Sequence, residues 1–273
     1  MLHVVSVGGG LTSTLYLPER VVARYGRENT RLVMARLPNE DPDVWRLCDA
    51  VQSALGVQIE YIGLNLTPWD IFRRVRMIGN TRVDPCSRVL KREVLRDYVR
   101  DLQACGEEVT MHLGITWDEQ HRTHAITRHW SEAGASTAFD LLDGFSLSRH
   151  EQMADCEARF GFVPRLYRYG FSHNNCGGAC VKAGMQEWAR LLYYLPDVYE
   201  WWESNELTLT AELGSSHTIL RDRTGKRTRP LTLPAFRKRC RRWWSGCLPG
   251  LPFELLPRVR ELNPTPACRY CAA

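Results

Sequence analysis

Five of the ten cysteines in this chain stand at spacings that suit thiolate chemistry. Cys176-Gly-Gly-Ala-Cys180 sets two thiols apart across two glycines and an alanine, and Cys268-Arg-Tyr-Cys271 sets two more with a two-residue spacer. Short spacers of this kind let two sulfurs converge on one ion, and glycine permits the tight backbone path. Together the two pairs would complete a four-thiolate site. Cys86, in Asp84-Pro85-Cys86-Ser87-Arg88-Val89-Leu90-Lys91, falls at an expected helix start beside Arg88 and Lys91. That setting lowers a thiol's pKa and favours the thiolate, which makes Cys86 a metal ligand or a nucleophile. Tetrahedral sulfur ligation suits zinc and an iron–sulfur cluster alike, and spacing does not separate them. A redox disulfide and chance pairing are the competing readings. Cys48, Cys105 and Cys156 sit among apolar residues and read as buried filler, while Cys240 and Cys247 stand isolated in a basic region.

A second group could hold an anion. Val4, Val5 and Val7 run into Gly8-Gly9-Gly10-Leu11-Thr12-Ser13-Thr14 and then into Leu15, Tyr16 and Leu17. The order reads as strand, glycine turn, helix. Glycines let backbone N–H groups approach a phosphate, the helix points its positive end at the same place, and hydroxyls add donors. The Walker loop is excluded, because no lysine occurs before Lys91. The dinucleotide fingerprint G-x-G-x-x-G is only partly met, because Ser13 stands at its third glycine. Asn39-Glu40-Asp41 and residues 116–119 follow the expected second and fourth strands, where a ribose, a metal or solvent would meet them. Gly8, Gly9, Gly10, Thr12, Ser13, Thr14 and Asn39 are therefore the candidate cofactor-binding set. A glycine-rich turn that binds nothing is the alternative.

The elements that must position these groups follow from periodicity. Residues 2–7, 31–37, 57–62 and 108–115 read as strands; 11–25, 43–55, 68–78 and 87–102 read as helices, with Pro42 in a first turn and Gly56 as a stop. Alternation of this kind implies an α/β fold with a parallel, doubly wound sheet, whose ligands sit beyond the strands' C-terminal ends. Residues 183–205 read as one helix whose aromatic stripe (Trp188, Tyr193, Tyr194, Tyr199, Trp201, Trp202) is core. From 207 onward, prolines and basic runs break the pattern. The expected organisation is a nucleotide-binding domain over 1–206 and a basic, helical or irregular element over 207–273 that packs back on it.

Charge is lopsided. Residues 207–273 carry 13 Lys and Arg against 4 Asp and Glu, a net +9, while residues 1–206 are at −4. Arg221, Arg223, Lys226, Arg227 and Arg229 form one cluster; Arg237, Lys238, Arg239, Arg241 and Arg242 form another beside Phe236, Trp243 and Trp244. Cations release counterions from a phosphate backbone and aromatics stack on unpaired bases, so the second cluster is the candidate nucleic-acid contact; a solvated basic surface over buried tryptophans is the alternative. With 44% hydrophobic and 25% charged residues the chain is globular in composition. No apolar run of membrane-spanning length and no export signal is visible, so a cytoplasmic protein without membrane contact is expected.

The order Gly-Gly-Gly-Leu-Thr-Ser-Thr resembles the Ser-Gly-Gly-x-Asp-Ser loop of the PP-loop superfamily, the adenine-nucleotide alpha hydrolase fold. Gly8 and Thr12 stand where that family has serine and aspartate. The aspartate is associated with metal and phosphates in its pyrophosphatases, so its replacement bears against ATP cleavage while leaving phosphate binding. Residues 164–184, which include His173-Asn174-Asn175-Cys176, are similar to a segment of phage and bacterial members called phosphoadenosine-phosphosulfate-reductase-like. Those relatives also carry a Pro-Cys-Ser-Arg-x-Leu-Lys segment like residues 85–91, a Leu-Gly-Ile-x-Trp segment like residues 113–117, and a cysteine pair near the C-terminus. The tail Ala-Cys-Arg-Tyr-Cys-Ala-Ala differs from the Glu-Cys-Gly-Leu-His type of sulfonucleotide reductases.

The resemblance implies an enzyme that binds an adenine nucleotide, ATP or a phosphosulfate analogue, with magnesium as a further candidate. A cysteine-bound iron–sulfur cluster or zinc, held by Cys86, Cys176, Cys180, Cys268 and Cys271, would serve sulfur or electron delivery to tRNA or DNA. Cys86, Arg88, Lys91 and Lys182 are the candidate catalytic residues, with Arg122 and Arg128 as further cations. Two alternatives stay open: a reductase of adenosine phosphosulfate or phosphoadenosine phosphosulfate, and a non-catalytic nucleic-acid-binding protein stapled by zinc.

Overall fold

A computed structural model of the chain describes residues 1–214, 217–223 and 227–244. The chain divides into two compact units, one of Met1–Leu66, Ser87–Arg165 and His173–Asn175, the other of Thr67–Cys86, Leu166–Ser172 and Cys176–Ala273. Among the described residues no helix is long and apolar enough to cross a membrane.

The first unit is α/β and built on a five-stranded parallel sheet. Its strands are β1 (Leu2–Val7), β2 (Thr30–Ala35), β3 (Ile59–Ile62), β4 (Val109–His112) and β5 (Ser136–Ala138), in the order β3-β2-β1-β4-β5. Such an order is compatible with a doubly wound fold. Central β1 pairs with β2 on one edge, Val5 opposite Leu32, and with β4 on the other, Val5 opposite His112. Val4 and Val5, which face opposite sides of the sheet, are both fully buried. Chain order runs outward through β2 and β3 and then resumes on β1's other side, so the direction of winding switches between β1 and β4. The four expected strands are present at nearly the expected positions. β5 escaped sequence reading because three residues, Ser-Thr-Ala, carry no period.

Local chemistry fixes the helix ends. Asp41 accepts from the Asp43 N–H at 3.0 Å, Pro42 opens the Pro42–Leu55 helix, and Gly56 closes it at φ 64°. Val44, Leu47, Cys48 and Val51 form its buried stripe. The acidic residues after β2 are structural rather than solvated: Asp41 also receives the Arg165 guanidinium at 2.8 Å, and Asp43 receives the Arg165 backbone N–H at 2.7 Å.

A polar chain is buried under β1 and β4. His112 Nδ1 lies 2.6 Å from Asp140 Oδ2, His112 Nε2 lies 2.9 Å from His3 Nδ1, and Tyr25 stacks on His3 at 3.7 Å. Burial, reinforced by His112, lowers the His3 pKa below 6.5. Burial works against the Asp140 carboxylate, but the hydrogen bond and charge of His112 outweigh it, so Asp140 stays below its ordinary value of 3.8. Each unfolded group binds a proton more readily than the folded one, so both contributions are present at neutral pH and lost on acidification. Folding stability of this unit should fall as pH drops below 6.5 through the lowered His3 value. Urea titrations across that window check it, and His3→Gln should flatten the dependence.

The second unit has an aromatic core of Trp69, Phe72, Trp188, Tyr199, Trp202 and Phe236, among others. The stripe expected to be core is largely so, with Trp201 the member left exposed. The single helix expected over 183–205 is two, Met185–Tyr194 and Pro196–Leu213, because Pro196 lacks the N–H to continue the ladder and instead starts a new helix. The boundary expected after residue 206 falls inside the second of these. Glu206 is buried there and accepts the Ile219 N–H at 3.0 Å and the Leu233 N–H at 2.5 Å. Those two bonds bind the β6 (Leu220–Asp222) and β7 (Arg229–Leu231) ribbon and the Leu233–Trp244 helix into the same unit. Burial raises the Glu206 pKa to about 7 against the pull of both N–H groups. Glu206→Ala orphans two buried donors at about 1–3 kcal/mol each. A loss of roughly that sum in thermal or chemical denaturation is expected.

Candidate functional site

The turn after β1 in the first unit is bare for a steric reason. Gly9 has φ 83°, and a Cβ there would lie 3.1 Å from the Val44 side chain. The Gly114 backbone approaches Ser13 so closely that a Cβ there would lie 3.0 Å from the Ser13 Cβ. The chain then enters a helix whose first five residues, Thr12–Tyr16, are wound in the wider π form before Leu17–Tyr25 continues as α-helix. Thr14 N donates to Gly10 O at 2.9 Å.

The three hydroxyls of the candidate cofactor-binding set, of which Ser13 and Thr14 were expected to offer donors, behave differently. Thr12 Oγ1 donates to Gln152 Oε1 at 2.9 Å, and Ser13 Oγ turns back to the Gly10 carbonyl at 3.4 Å. Thr14 is fully buried and its Oγ1 has no partner. Three more side chains in this unit share that condition: Asn39, Asn174, and Arg96, whose Nε is buried without a partner although its Nη2 lies 2.9 Å from His129 Nδ1. Asn39, after β2, has neither amide atom satisfied, although both are buried. Asn174 is fully buried; its Nδ2 donates to the Gly9 carbonyl at 3.0 Å, while its Oδ1 meets nothing. Buried polar atoms in folded chains are nearly always paired, so Thr14, on the turn, and Asn174, bonded to it, mark a place where a partner belongs, and Asn39 follows the neighbouring strand β2.

Beside the turn, at the change of winding between β1 and β4, lies an open cleft of about 460 Å³. Thr12 lines it from the β1 side, Trp117 and Asp118 from the segment after β4, and Leu147 and Arg149 from the start of the Arg149–Phe160 helix. Buried Gln152 organises one wall. It accepts from Thr12 and from Arg149 Nη1, each at 2.9 Å, and donates to the Leu147 carbonyl at 2.9 Å. Sequence reading missed Arg149 and Gln152. The signal was Ser148-Arg-His-Glu151, a capping box in which the Ser148 and Glu151 side chains cap each other's backbone N–H groups.

The expected catalytic cations are held by carboxylates. Lys91 sits 3.2 Å from the buried Glu40, Arg88 3.4 Å from Glu93, and, in the second unit, Lys182 3.6 Å from Asp84. Arg88 and Lys91 therefore each face an acid. Arg122 pairs with Glu119.

The second unit contains Cys86, Cys176 and Cys180. Cys86 is the middle residue of the short Pro85–Ser87 helix and packs half-buried against the aromatic core. Cys176 and Gly177 take left-handed φ values of 56° and 59°, and Gly178 has φ 79°. A Cβ on Gly178 would lie 3.0 Å from the Phe171 ring, so the turn between the two thiols needs its glycines. Among the described residues no three His, Cys, Asp or Glu side chains are gathered to hold a metal ion, and Cys268 and Cys271 lie outside those residues. The other thiols sort by burial: Cys48, Cys156 and Cys240 are buried and their pKa values are pushed up to about 12, 11 and 12, which makes them inert. Cys105, expected to be filler, is exposed at a helix end.

In the basic helix Leu233–Trp244, two of the five expected nucleic-acid contacts serve the fold. Arg237 Nε donates to Glu203 Oε1 at 3.0 Å, and Arg239 Nη2 donates to Asp222 Oδ2 at 2.5 Å. Lys238, Arg241 and Arg242 lie on the exposed side, while Phe236 is buried and Trp243 and Trp244 pack edge-on to Phe236 and Tyr193. Lys226 lies outside the described residues.

No family model matches this chain, and a search of curated proteins finds no match to it. Gly178→Ala should destabilise the second unit by about 1–3 kcal/mol through left-handed strain and contact with Phe171. The shift of the denaturation midpoint measures it, with Gly184→Ala, where a Cβ meets nothing, as the control.

Proposed function

We propose that this chain is an adenine-nucleotide-dependent enzyme that modifies nucleic acid, similar in kind to the PP-loop and phosphoadenosine-phosphosulfate-reductase-like proteins. The observation that carries the reading is the set of unsatisfied buried polar atoms on Thr14, Asn39 and Asn174, in the unit whose glycine turn sits at the end of β1. A nucleotide's phosphates would take the main-chain N–H groups of the turn, the Thr14 hydroxyl and the positive end of the helix. The Asn39 amide, with a donor and an acceptor side by side, suits the edge of an adenine. Cys86, Cys176 and Cys180, with Cys268 and Cys271, are the residues that would hold zinc or an iron–sulfur cluster, which would supply sulfur or electrons. The exposed Lys238, Arg241 and Arg242 suit a phosphate backbone.

One observation favours the reductase reading as well. Thr12 brings no carboxylate to the turn and donates its hydroxyl hydrogen bond to Gln152, so the turn offers no acidic metal ligand of the kind the pyrophosphatases carry at that position. Release of sulfite from adenosine phosphosulfate or phosphoadenosine phosphosulfate, against AMP or pyrophosphate formed only when nucleic acid is present, separates the two.

Replacing an orphaned polar group with an apolar isostere removes a buried cost of about 1–3 kcal/mol. Thr14→Val should therefore raise the melting temperature of the ligand-free protein while weakening ATP binding about tenfold, as equilibrium dialysis would measure. A variant that is both less stable and unchanged in ATP affinity would assign Thr14 to the fold alone.

A further inference from the structure

We propose that the cleft between the ends of β1 and β4 receives an unpaired nucleobase of the acceptor strand, stacked on Trp117, as a site separate from the glycine turn. This rests on the reading of the chain as a nucleotide-dependent enzyme acting on nucleic acid. The cleft's volume, about 460 Å³, is within the range of small-ligand sites.

Trp117 is the first reason. Its side chain is 57% exposed, and among the described residues no ring or guanidinium stacks on it, whereas Trp69, Trp188 and Trp202 are all buried. Leu147, on the same cleft, is 38% exposed. Open apolar surface rimmed by polar groups fits a flat, apolar-faced ligand with polar edges. A nucleobase has that form, and stacking on an aromatic side chain is worth about 1–3 kcal/mol per base.

The polar groups give the second reason. The Asp118 carboxylate, held by the Thr116 hydroxyl at 2.6 Å, is an acceptor of the type that reads an exocyclic amine such as cytosine N4. Arg149, positioned by Gln152, supplies a cation suited to the strand's phosphate. An acidic and a basic group on one small cleft do not suit a simple anion or a simple cation. They suit a ligand with a donor edge and a charged tail.

The third reason separates this cleft from the nucleotide's own place. None of this unit's buried unpartnered groups, on Thr14, Asn39, Arg96 or Asn174, lines it. Thr12 belongs to both the turn and the cleft, so a base in the cleft and a phosphate on the turn would meet at that residue.

The test uses the full chain, a fluorescein-labelled oligocytidine of about a dozen nucleotides as RNA and as DNA, and the same strand with one abasic position. Trp117→Ala should weaken oligonucleotide binding by about 5- to 100-fold, Trp117→Phe should retain most of it, and ATP affinity should stay within about twofold. The abasic strand should bind the wild type more weakly and the Trp117→Ala variant no differently from the intact strand. Equal oligonucleotide binding by wild type and Trp117→Ala overturns the assignment, as does a wild type that binds no oligonucleotide. Parallel loss of ATP affinity in Trp117→Ala also overturns it, by giving the cleft to the nucleotide's own base. A wild-type chain that binds the oligonucleotide but not ATP instead sinks the nucleotide reading on which the proposal rests.

Discussion

Everything in the first unit turns on the double burial of β1. A central parallel strand hydrogen-bonded along both edges and covered on both faces has nowhere to place a polar side chain except at its ends. His3, the polar residue near its start, is tolerated because His112 takes its ring nitrogen and Asp140 in turn takes that of His112. All remaining polarity is pushed to the C-terminal exit. There the chain must turn sharply enough to begin a helix, and the nearness of Val44 leaves no room for a side chain at Gly9. A concentration of main-chain amides at the sheet's end is thus a product of the same packing that makes the strand apolar.

That constraint explains what could be read from residues alone. β1 was legible as a nearly unbroken apolar run and β2 to β4 as short segments mixing apolar and polar residues, and the Pro42–Leu55 helix because Pro42 and Gly56 are start and stop signals with local causes. The glycine turn was legible for the same reason. β5 was not, since three small residues owe their conformation entirely to pairing with Thr110, Met111 and His112 of β4. The helix division at Pro196 was available in the sequence and was outweighed by a continuous aromatic stripe.

The candidate site was legible in part, and the failures share one cause. Sequence shows which groups carry charge and hides which charges are already answered. Lys91, Arg88, Lys182, Arg237 and Arg239 each have an acid beside them, drawn from as far along the chain as Glu40 is from Lys91 or Glu203 is from Arg237. The converse failure is Arg149, unremarkable in sequence until a buried glutamine holds it on the cleft wall. Orphaned atoms are invisible to sequence by definition, because satisfaction is a property of neighbours. Among the buried side chains with an unpartnered polar atom, Thr14, Asn39 and Asn174 are the ones that follow β1 or β2 or bond to the glycine turn.

The carboxylate of Glu206 has a bearing on how this molecule can be taken apart. It reaches forward to grip two amides that come thirteen and twenty-seven residues later. Cutting the chain where its composition changes would strand an acid amid hydrocarbon and strip Leu209 of its surroundings, so the positively charged stretch is, through Trp244, no detachable tail. Its Leu233–Trp244 helix is a wall of the aromatic interior, to which it contributes Phe236 and Cys240.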